Sequence, residues 1–555
     1  MSEEELIGIF EFTGQHPTRA IIEKCLEICS KYSVDAEDLV DHWSAFSMTN
    51  LKNAPISLEG ISSMEQKIFN NKQATISSQD KSSLIKTQEV DECKKSDVIE
   101  HTQTLKHDVA DITHNESIKV ESKSNEEEDI KHIDYKNRKD AGVVVVSFGK
   151  IINHVKCSRQ TSNVTIYGNS EWYKEQNFRG LYVTQTQIAN RFDNHINNLG
   201  QIILKRNNIE ISNTEGNFVA YGRIKSEDGR KISVRSIMLE TSREFNGSKE
   251  VILSIDNLKS YSLFSGQIVV VRGITMAKNS VVQEIYSDAS PEFASETLSL
   301  NDNLRIVVAA GPFTFSDNLF YDPLSDLLEQ VKEQKPNVLI LIGPFTDSAH
   351  PDFVTLNETY AHYFETQMDN FMDCLASAEW PMQVVLVPSF NDPHHFPCYP
   401  TPSYTLKEYP NLNCVPNPCL LNIHGIIIGI SSLDILFQLT KEEISKNVQT
   451  DRISRLAAHI LYQRNFYPIY PNREHSVPID YECLLSDCTL DVKPHLLILP
   501  STLRHFIKNV DGCLVVNPER LTKNHIGGTY AIIDIKPPLK TGCIIDCITC
   551  KIKKI

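Results

Sequence analysis

Apolar residues fall along this chain in distinct rhythms. In the first seventy or so residues they recur at helical spacing. Leu6, Ile9 and Phe10 form one group, and Ile21, Ile22, Cys25, Leu26 and Cys29 a second. Leu39, Val40, Trp43 and Phe46 form a third, and residues 58–69 a fourth. Positions three and four apart share one face of a helix, so this spacing predicts a small helical bundle. Pro17 suits a first helical turn, and Asp35 suits a cap. From 73 to 140 apolar residues stand singly among Gln, Ser, Lys, Asp and Glu, with an acidic run Glu126-Glu127-Glu128-Asp129. Such a stretch buries too little apolar surface to offset its chain entropy, and predicts a disordered, flexible tether.

The rhythm changes again after the tether. Residues 143–148 are β-rich, and 181–204 carry Leu181, Ile188, Phe192, Ile196 and Leu199 at helical spacing. Five short β-rich runs follow, at 218–224, 232–239, 251–255, 268–274 and 281–285, with Asp228-Gly229 as a hairpin turn. Five strands with these turns fit a small oligonucleotide/oligosaccharide-binding (OB) barrel, so 141–290 is read as an OB-fold domain with a leading helical segment. Such barrels bind single strands through aromatics and a basic groove. Here the aromatics are few beyond Phe218 and Tyr221, and Arg223, Lys225, Arg230, Lys231 and Arg235 cluster on one hairpin. A packing role and weak or indirect nucleic-acid contact are both open.

Residues 291–555 alternate apolar runs with helical patterns. The runs are 305–310, 338–342, 384–387, 426–430, 496–499, 513–516 and 530–535. The helical patterns are 323–334, 360–378 and 452–463. Alternation of this kind predicts a layered α/β domain with a mixed sheet. The run at 338–342 has no polar alternation and reads as a strand buried on both faces. The reading of the whole chain is multidomain: helical bundle 1–72, tether 73–140, OB domain 141–290 and α/β domain 291–555.

Bulk properties narrow the function. The chain has 555 residues and a net charge of −16. Nucleic-acid binding rests on clustered Lys and Arg, so an acidic chain is poorly suited to it on its own. Met1-Ser2-Glu3-Glu4-Glu5 is acidic where a secretory signal is basic, and no apolar run approaches membrane-spanning length. A soluble intracellular protein is expected, with no membrane partner and with its 14 cysteines reduced. Lys136-Asn137-Arg138-Lys139 is read either as a localisation signal or as a solvated charge cluster.

Loops after the strands of an α/β sheet are where chemistry is placed. The loop after 338–342 is Gly343-Pro344-Phe345-Thr346-Asp347. It resembles the Gly-Asp-x-x-Asp loop of calcineurin-like metallophosphoesterases, with Pro344 where the bridging carboxylate stands. That family holds two cations on Asp, His and Asn from successive loops and activates a water between them. The first loop here is Gly311-Pro312-Phe313-Thr314, without the Asp-x-His pair. The third is Pro388-Ser389-Phe390-Asn391-Asp392, against Gly-Asn-His-Asp. The last is 500–505, ending in His505, against Gly-His-x-His. Asp347, Asp392 and His505 are too few for a two-metal site. The resemblance therefore implies an inactive phosphoesterase-like domain, with no catalytic residue, no metal and no cofactor. Its vestigial loops are marked by Gly311, Pro312, Gly343, Pro344, Asp347, Ser389, Asn391, Asp392 and His505. His394 and His395 are read as hydrogen-bonding within a Pro-rich loop. Cys543 and Cys547 are read as alternating on a last strand rather than as half a zinc site with Cys550.

Together these segments resemble the B subunits of eukaryotic DNA polymerase alpha–primase. The likeness rests on residues 308–314, on Tyr321-Asp322-Pro323-Leu324, on 343–347 and on 387–395. It extends to Asn465-Phe466-Tyr467-Pro468-Ile469-Tyr470-Pro471 and Val516-Asn517-Pro518-Glu519-Arg520-Leu521. It implies a nuclear, non-catalytic subunit that grips the zinc-bearing C-terminal domain of the polymerase catalytic subunit. Primase subunits would share that complex, and the N-terminal module would recruit replication partners. An epsilon-type B subunit and a divergent metal-dependent phosphoesterase are the alternatives.

Overall fold

The computed structural model describes residues 135–555, apart from 150–161, most of 169–179, and short stretches at 212–215, 228, 277–278, 295–297, 377–379, 473–476 and 538–543. Before residue 135 it describes 17–32, 56–70 and scattered positions between 6 and 47. The chain divides into two compact units, 1–132 and 133–555.

In the first unit, helices span Arg19–Tyr32 and Leu58–Met64, the latter continuing as a π-helix over Glu65–Asn70. Ser57 caps the second helix by accepting from Gly60 N. Ile21, Ile22, Cys25, Ile28, Ile61 and Met64 share one core with Leu6, Phe10, Leu39, Val40, Trp43 and Phe46, so all four expected apolar groups contribute. Gly60 lets the Trp43 ring approach, since a Cβ there would lie 2.7 Å from it. Buried Glu65 accepts from Lys31, Lys24 and Tyr32, and its carboxyl is held well below the usual range, chiefly by Lys31. The expected tether, 73–140, lies outside the described residues up to 134.

The second unit opens with β1 (Val144–Phe148) and β2 (Val164–Ile166). The helix Gln185–Arg206 follows, started by a reciprocal capping box between Thr184 and Gln187. Then come β3 (Asn217–Ser226), β4 (Ile237–Glu240), β5 (Glu250–Ser254), β6 (Tyr261–Leu263), β7 (Ile268–Met276) and β8 (Asn279–Tyr286). β3, β4, β5, β8 and β7 close into a barrel, the five strands expected of the OB reading. Inside it Ile224, Ile237, Leu239, Leu253, Val269, Val271 and Val282 pack together. The helix Gln185–Arg206 covers one wall with Ile196, Leu199, Ile203 and Leu204. β4 is shorter than the run that predicted it. Its first half is a turn in which Ser236 accepts from Ser233 N and the two hydroxyls meet at 2.8 Å.

The remaining strands are β9 (Leu304–Ala310), β10 (Val338–Ile342), β11 (Gln383–Val387), β12 (Leu412–Cys414), β13 (Cys419–Ile423), β14 (Ile426–Ile430), β15 (Ile444–Lys446), β16 (Leu496–Ile498), β17 (Phe506–Val510), β18 (Cys513–Asn517), β19 (Thr522–Lys523), β20 (Ile526–Gly527), β21 (Thr529–Ile535) and β22 (Ile548–Lys554). One sheet runs β1-β22-β21-β9-β10-β11-β12, and a second runs β17-β18-β16-β14-β13-β2. β9 to β12 are parallel and β21 joins antiparallel, so the first sheet is mixed. Their facing sides meet in one core: Ile306, Val308, Ile340 and Val385 from the first, Ile426, Ile428, Leu496 and Leu514 from the second. The outer face of the first sheet is covered by the helices Asp322–Gln334 and Tyr360–Ala376, and that of the second by Ile435–Glu442 and Arg452–Tyr462. Four layers result, helix on sheet on sheet on helix. Strands β9, β10 and β11 are apolar on both faces because both faces are covered.

Three expectations are corrected. Residues 144–148 and 164–166, placed with the barrel at 141–290, instead pair with β22 and β13, because their apolar side chains join the core between the two sheets. The basic cluster at 136–139 is neither solvated nor free at Arg138. That side chain stacks 3.8 Å over Tyr135, donates to Ile555 O at 2.9 Å and pairs with Asp326. Cys547 stands on the 3₁₀ turn Ile544–Cys547 rather than on a strand, whereas Cys550 is buried in β22. Cys543 lies outside the described residues.

The barrel and the layered sheets are interlocked within this unit. β6 pairs antiparallel with β15. The Gln463 side-chain amide accepts from Ile268 N at 2.7 Å and donates to Ile268 O at 3.0 Å and Ser287 O at 3.1 Å. Gly266, at φ +103°, carries the chain against Tyr470 N, where a Cβ would sit 2.3 Å away. Buried Glu443 accepts from Arg455 at 2.7 and 2.9 Å, from Ser262 Oγ and from His459 Nε2.

Candidate functional site

The loops following β9, β10 and β11 lie side by side because those strands are parallel neighbours in register. The first two repeat the sequence Gly-Pro-Phe-Thr, at 311–314 and 343–346. This repeat makes the two loops a matched pair. Phe313 N donates to Phe345 O at 2.9 Å, their rings lie 4.8 Å apart, and Thr314 Oγ1 reaches Thr346 Oγ1 at 3.4 Å. Gly311 packs directly on this neighbour, since a Cβ there would fall 1.8 Å from Pro344 O. Both Gly-Pro bonds are cis.

Asp392 joins the second loop to the third. It is 2% exposed. Its Oδ1 accepts from Phe345 N at 2.7 Å, and its Oδ2 accepts from Ser389 N at 2.7 Å and from the Tyr404 hydroxyl. Gly343 lies against the same carboxylate, where a Cβ would come within 2.6 Å of Oδ2. Burial pushes the Asp392 carboxyl up to about 7, against the opposing pull of the bonds from Tyr404, Phe345 and Ser389. This carboxylate has its accepting positions filled by the protein's own donors.

The other marked residues do not converge with it as ligands. Asp347 is near enough to Asp392 to raise its pKa, but is exposed and accepts from Ala349 N at 2.9 Å in a local turn. Pro344 offers no ligand atom. Ser389 Oγ accepts from Asn391 N, and Asn391 O accepts from Ser348 N. His505 is buried and faces Glu519 Oε2 at 3.1 Å through Nδ1. Burial would raise the Glu519 carboxyl, yet Lys523 and His505 hold it below its ordinary value. The loop at 500–505 is tied down by Asp434, which accepts from Ser501 Oγ, Thr502 N and Thr502 Oγ1. Among the described residues no group of three or more His, Cys, Asp or Glu is placed to hold a metal ion.

Aromatic side chains fill the space around these loops. Phe345 packs on Phe364 at 5.1 Å and on Tyr404 at 5.9 Å. Thr346 Oγ1 accepts from the Tyr360 hydroxyl at 2.6 Å, and Tyr360 meets the Tyr321 hydroxyl at 2.6 Å. In the sequence these aromatics carry no signal of a shared site, because they read as ordinary helix or loop positions. The two loop histidines part company. His395 Nε2 meets Pro402 O at 2.6 Å, as expected of a loop hydrogen bond. His394 corrects the expectation: both ring nitrogens are buried without a hydrogen-bond partner, and the ring lies 4.3 Å from Phe364 and stacks 5.5 Å from Tyr404. Burial lowers its pKa to about 3, so the ring is neutral and behaves as one more aromatic wall.

The barrel face is also largely self-occupied. Lys225 pairs with Glu250, Arg223 with Glu240, Arg243 with Asp193 and Arg272 with Glu284. Tyr221 is buried under Gly200 and against Phe245, out of reach of a stacked base.

Comparison with known proteins places this arrangement. The family of B subunits of DNA polymerases alpha and epsilon matches residues 306–508, the region that holds these loops. The family for the N-terminal part of the DNA polymerase alpha B subunit matches 4–71, and the family for the OB domain of that same subunit matches 189–288. The class is therefore that of polymerase B subunits. Among relatives named as the B subunit of DNA polymerase alpha, that of Rattus norvegicus is 33% identical over 71% of this chain and 68% of its own. That of Schizosaccharomyces pombe is 30% identical over 72% and 75%, and that of Drosophila melanogaster is 27% identical across the whole of both. The chain belongs to the family of DNA polymerase alpha B subunits.

Proposed function

We propose that this protein is a non-catalytic accessory subunit of a nuclear DNA polymerase alpha–primase complex. In this reading it grips the zinc-bearing C-terminal domain of the catalytic subunit, alongside the primase subunits. The observation that carries it is Asp392. Of the two carboxylates in these loops, Asp347 is exposed, whereas Asp392 is buried and saturated by Phe345 N, Ser389 N and Tyr404, so it serves as a staple between loops. Pro344 and the aromatic packing occupy the ground where two cations and a water need convergent ligands. A scaffold released from chemistry can present its loops and its barrel as interface. The pairing of the barrel's basic residues with acids supports protein contact over nucleic-acid contact, which is weak or indirect.

The domains divide the work. Residues 1–72 act as a docking module for replication partners, carried on the tether at 73–140. The OB domain and the phosphoesterase-like domain at 291–555 act as one body. A tethered module raises a partner's local concentration without fixing its orientation. Two experiments test the reading. Full-length protein incubated with Mn²⁺ or Mg²⁺ is expected to hydrolyse no phosphodiester, and turnover abolished by Asp392→Ala would restore the phosphoesterase alternative. Deletion of residues 1–72 is expected to leave binding to the catalytic subunit intact, and loss of binding would overturn the domain assignment.

A further inference from the structure

Three exposed apolar side chains surround the segment 315–320, which follows the first vestigial loop. Phe320 is 66% exposed, Val354 92% and Ile526 49%. The segments that carry them are tied together. His350 caps the 3₁₀ helix Pro351–Thr355 through Nδ1, which accepts from Asp352 N, so its Nε2 donates to Phe315 O at 2.9 Å. Ser316 N donates to Asn524 O at 3.2 Å, in the hairpin of β19 and β20 that bears Ile526. The Tyr363 hydroxyl donates to Leu319 O at 2.9 Å, and Phe353 packs edge-on against Tyr360. The segments of Phe320 and Val354 therefore both rest on the first turn of the helix Tyr360–Ala376. Solitary exposed apolar residues are common, whereas a group of them rimmed by charge marks a contact surface.

The charge around this surface selects its partner. Residues 317–376 hold eleven Asp or Glu against Lys332 and Lys335, a net charge of −9 out of the whole chain's −16. Asp317, Asp352 and Glu358 lie within four residues of Phe320 or Val354 in the chain. The same stretch supplies both helices over the outer face of the first sheet, and helical spacing turns their acids into stripes. Asp322, Glu329 and Glu333 are exposed along Asp322–Gln334, where Arg138 answers Asp326. Along Tyr360–Ala376, Glu365, Asp369 and Asp373 recur at every fourth position. Like charges at that spacing repel, and a basic partner relieves them. Nucleic acid and anionic lipid are repelled by such a field, and a small cation gains nothing from the apolar side chains. A protein segment that combines Lys or Arg with large apolar residues uses both features.

We propose that this surface docks a basic protein segment, whose large apolar side chains cover Phe320 and Val354 while its Lys and Arg side chains face the acidic stripes. The test uses the full chain and a random peptide library displayed on phage. Selection is expected to enrich peptides that combine Lys or Arg with Leu, Phe or Trp. An enriched peptide carrying a fluorescent label is expected to bind saturably by anisotropy, and more weakly as salt rises. Phe320→Ser and Val354→Ser are each expected to weaken it by about tenfold or more, and Glu329→Lys combined with Glu365→Lys by at least as much. All four side chains are exposed, so the variants are expected to keep the circular dichroism of the wild type. Enrichment of no basic apolar peptide, or an affinity unchanged in either serine variant, would overturn the proposal. So would a labelled single-stranded DNA that binds the wild type and not Phe320→Ser.

Discussion

Replacing Asp392 by Asn tests whether the carboxylate that joins the second loop to the third is a structural staple. The ordinary value for this carboxyl is 3.8, and burial pushes it up to about 7 in the folded chain. Between those two pH values the folded state carries a proton that the unfolded state lacks. Stability linked to this group is therefore fully present below about pH 4 and is lost as pH rises to about 7. The shift corresponds to ~4 kcal/mol, of which about 3 kcal/mol falls between pH 5 and pH 8. The asparagine side chain has nearly the same shape and does not titrate. Its amide nitrogen must face either Phe345 N or Ser389 N, so the variant also loses one accepting bond, at about 1–3 kcal/mol. Urea unfolding of wild type and Asp392→Asn at the two pH values isolates the group, because other titrations cancel in the difference. The wild type is expected to exceed the variant in stability by about 3 kcal/mol more at pH 5 than at pH 8. A difference that is the same at both would refute the reasoning, since burial would then not outweigh the bonds from Tyr404, Phe345 and Ser389 and the carboxyl would not be raised in the folded chain.

Other outcomes follow from the same geometry. Gln463→Ala removes three hydrogen bonds to Ile268 and Ser287. It should cost about 2–4 kcal/mol in thermal or urea unfolding, with hydrogen exchange rising first at Ile268 on the barrel edge. Gly311→Ala forces a methyl group against Pro344 O and should destabilise the paired Gly-Pro-Phe-Thr loops by several kcal/mol, measured by the unfolding midpoint. Glu443 is buried. Burial alone would raise its carboxyl, but His459, Arg455 and Ser262 hold it far below the usual range. Its stabilisation is present above the ordinary carboxyl value and lost as pH falls, so Glu443→Gln should flatten the acid limb of the unfolding curve.

Much of the architecture is legible in the sequence because its signals are local. The uninterrupted apolar run at 338–342 is β10, buried on both faces, and the helical spacing read over 181–204 becomes the helix Gln185–Arg206, with Leu181 left ahead of its Thr184 cap. What escapes such reading depends on partners distant in the chain. Asp392 takes its role from Phe345 N, 47 positions away, and His394 lies against Phe364 and Tyr404, which only the folded loops bring together. The edge strands β1 and β2 fall to the nearest domain in sequence, although register with β22 and β13 decides where they belong. A 3₁₀ turn and a strand are indistinguishable over four residues such as Ile544–Cys547, so the expected alternation of cysteines fails there.

If the barrel and phosphoesterase-like body serves to hold a polymerase, it should bind the catalytic subunit without help from residues 1–72. The most direct measurement is co-expression of the full chain with the C-terminal domain of a DNA polymerase alpha catalytic subunit, followed by size exclusion with light scattering. The account predicts a stable one-to-one complex that survives deletion of residues 1–72. A chain that is folded by circular dichroism yet elutes alone would contradict it.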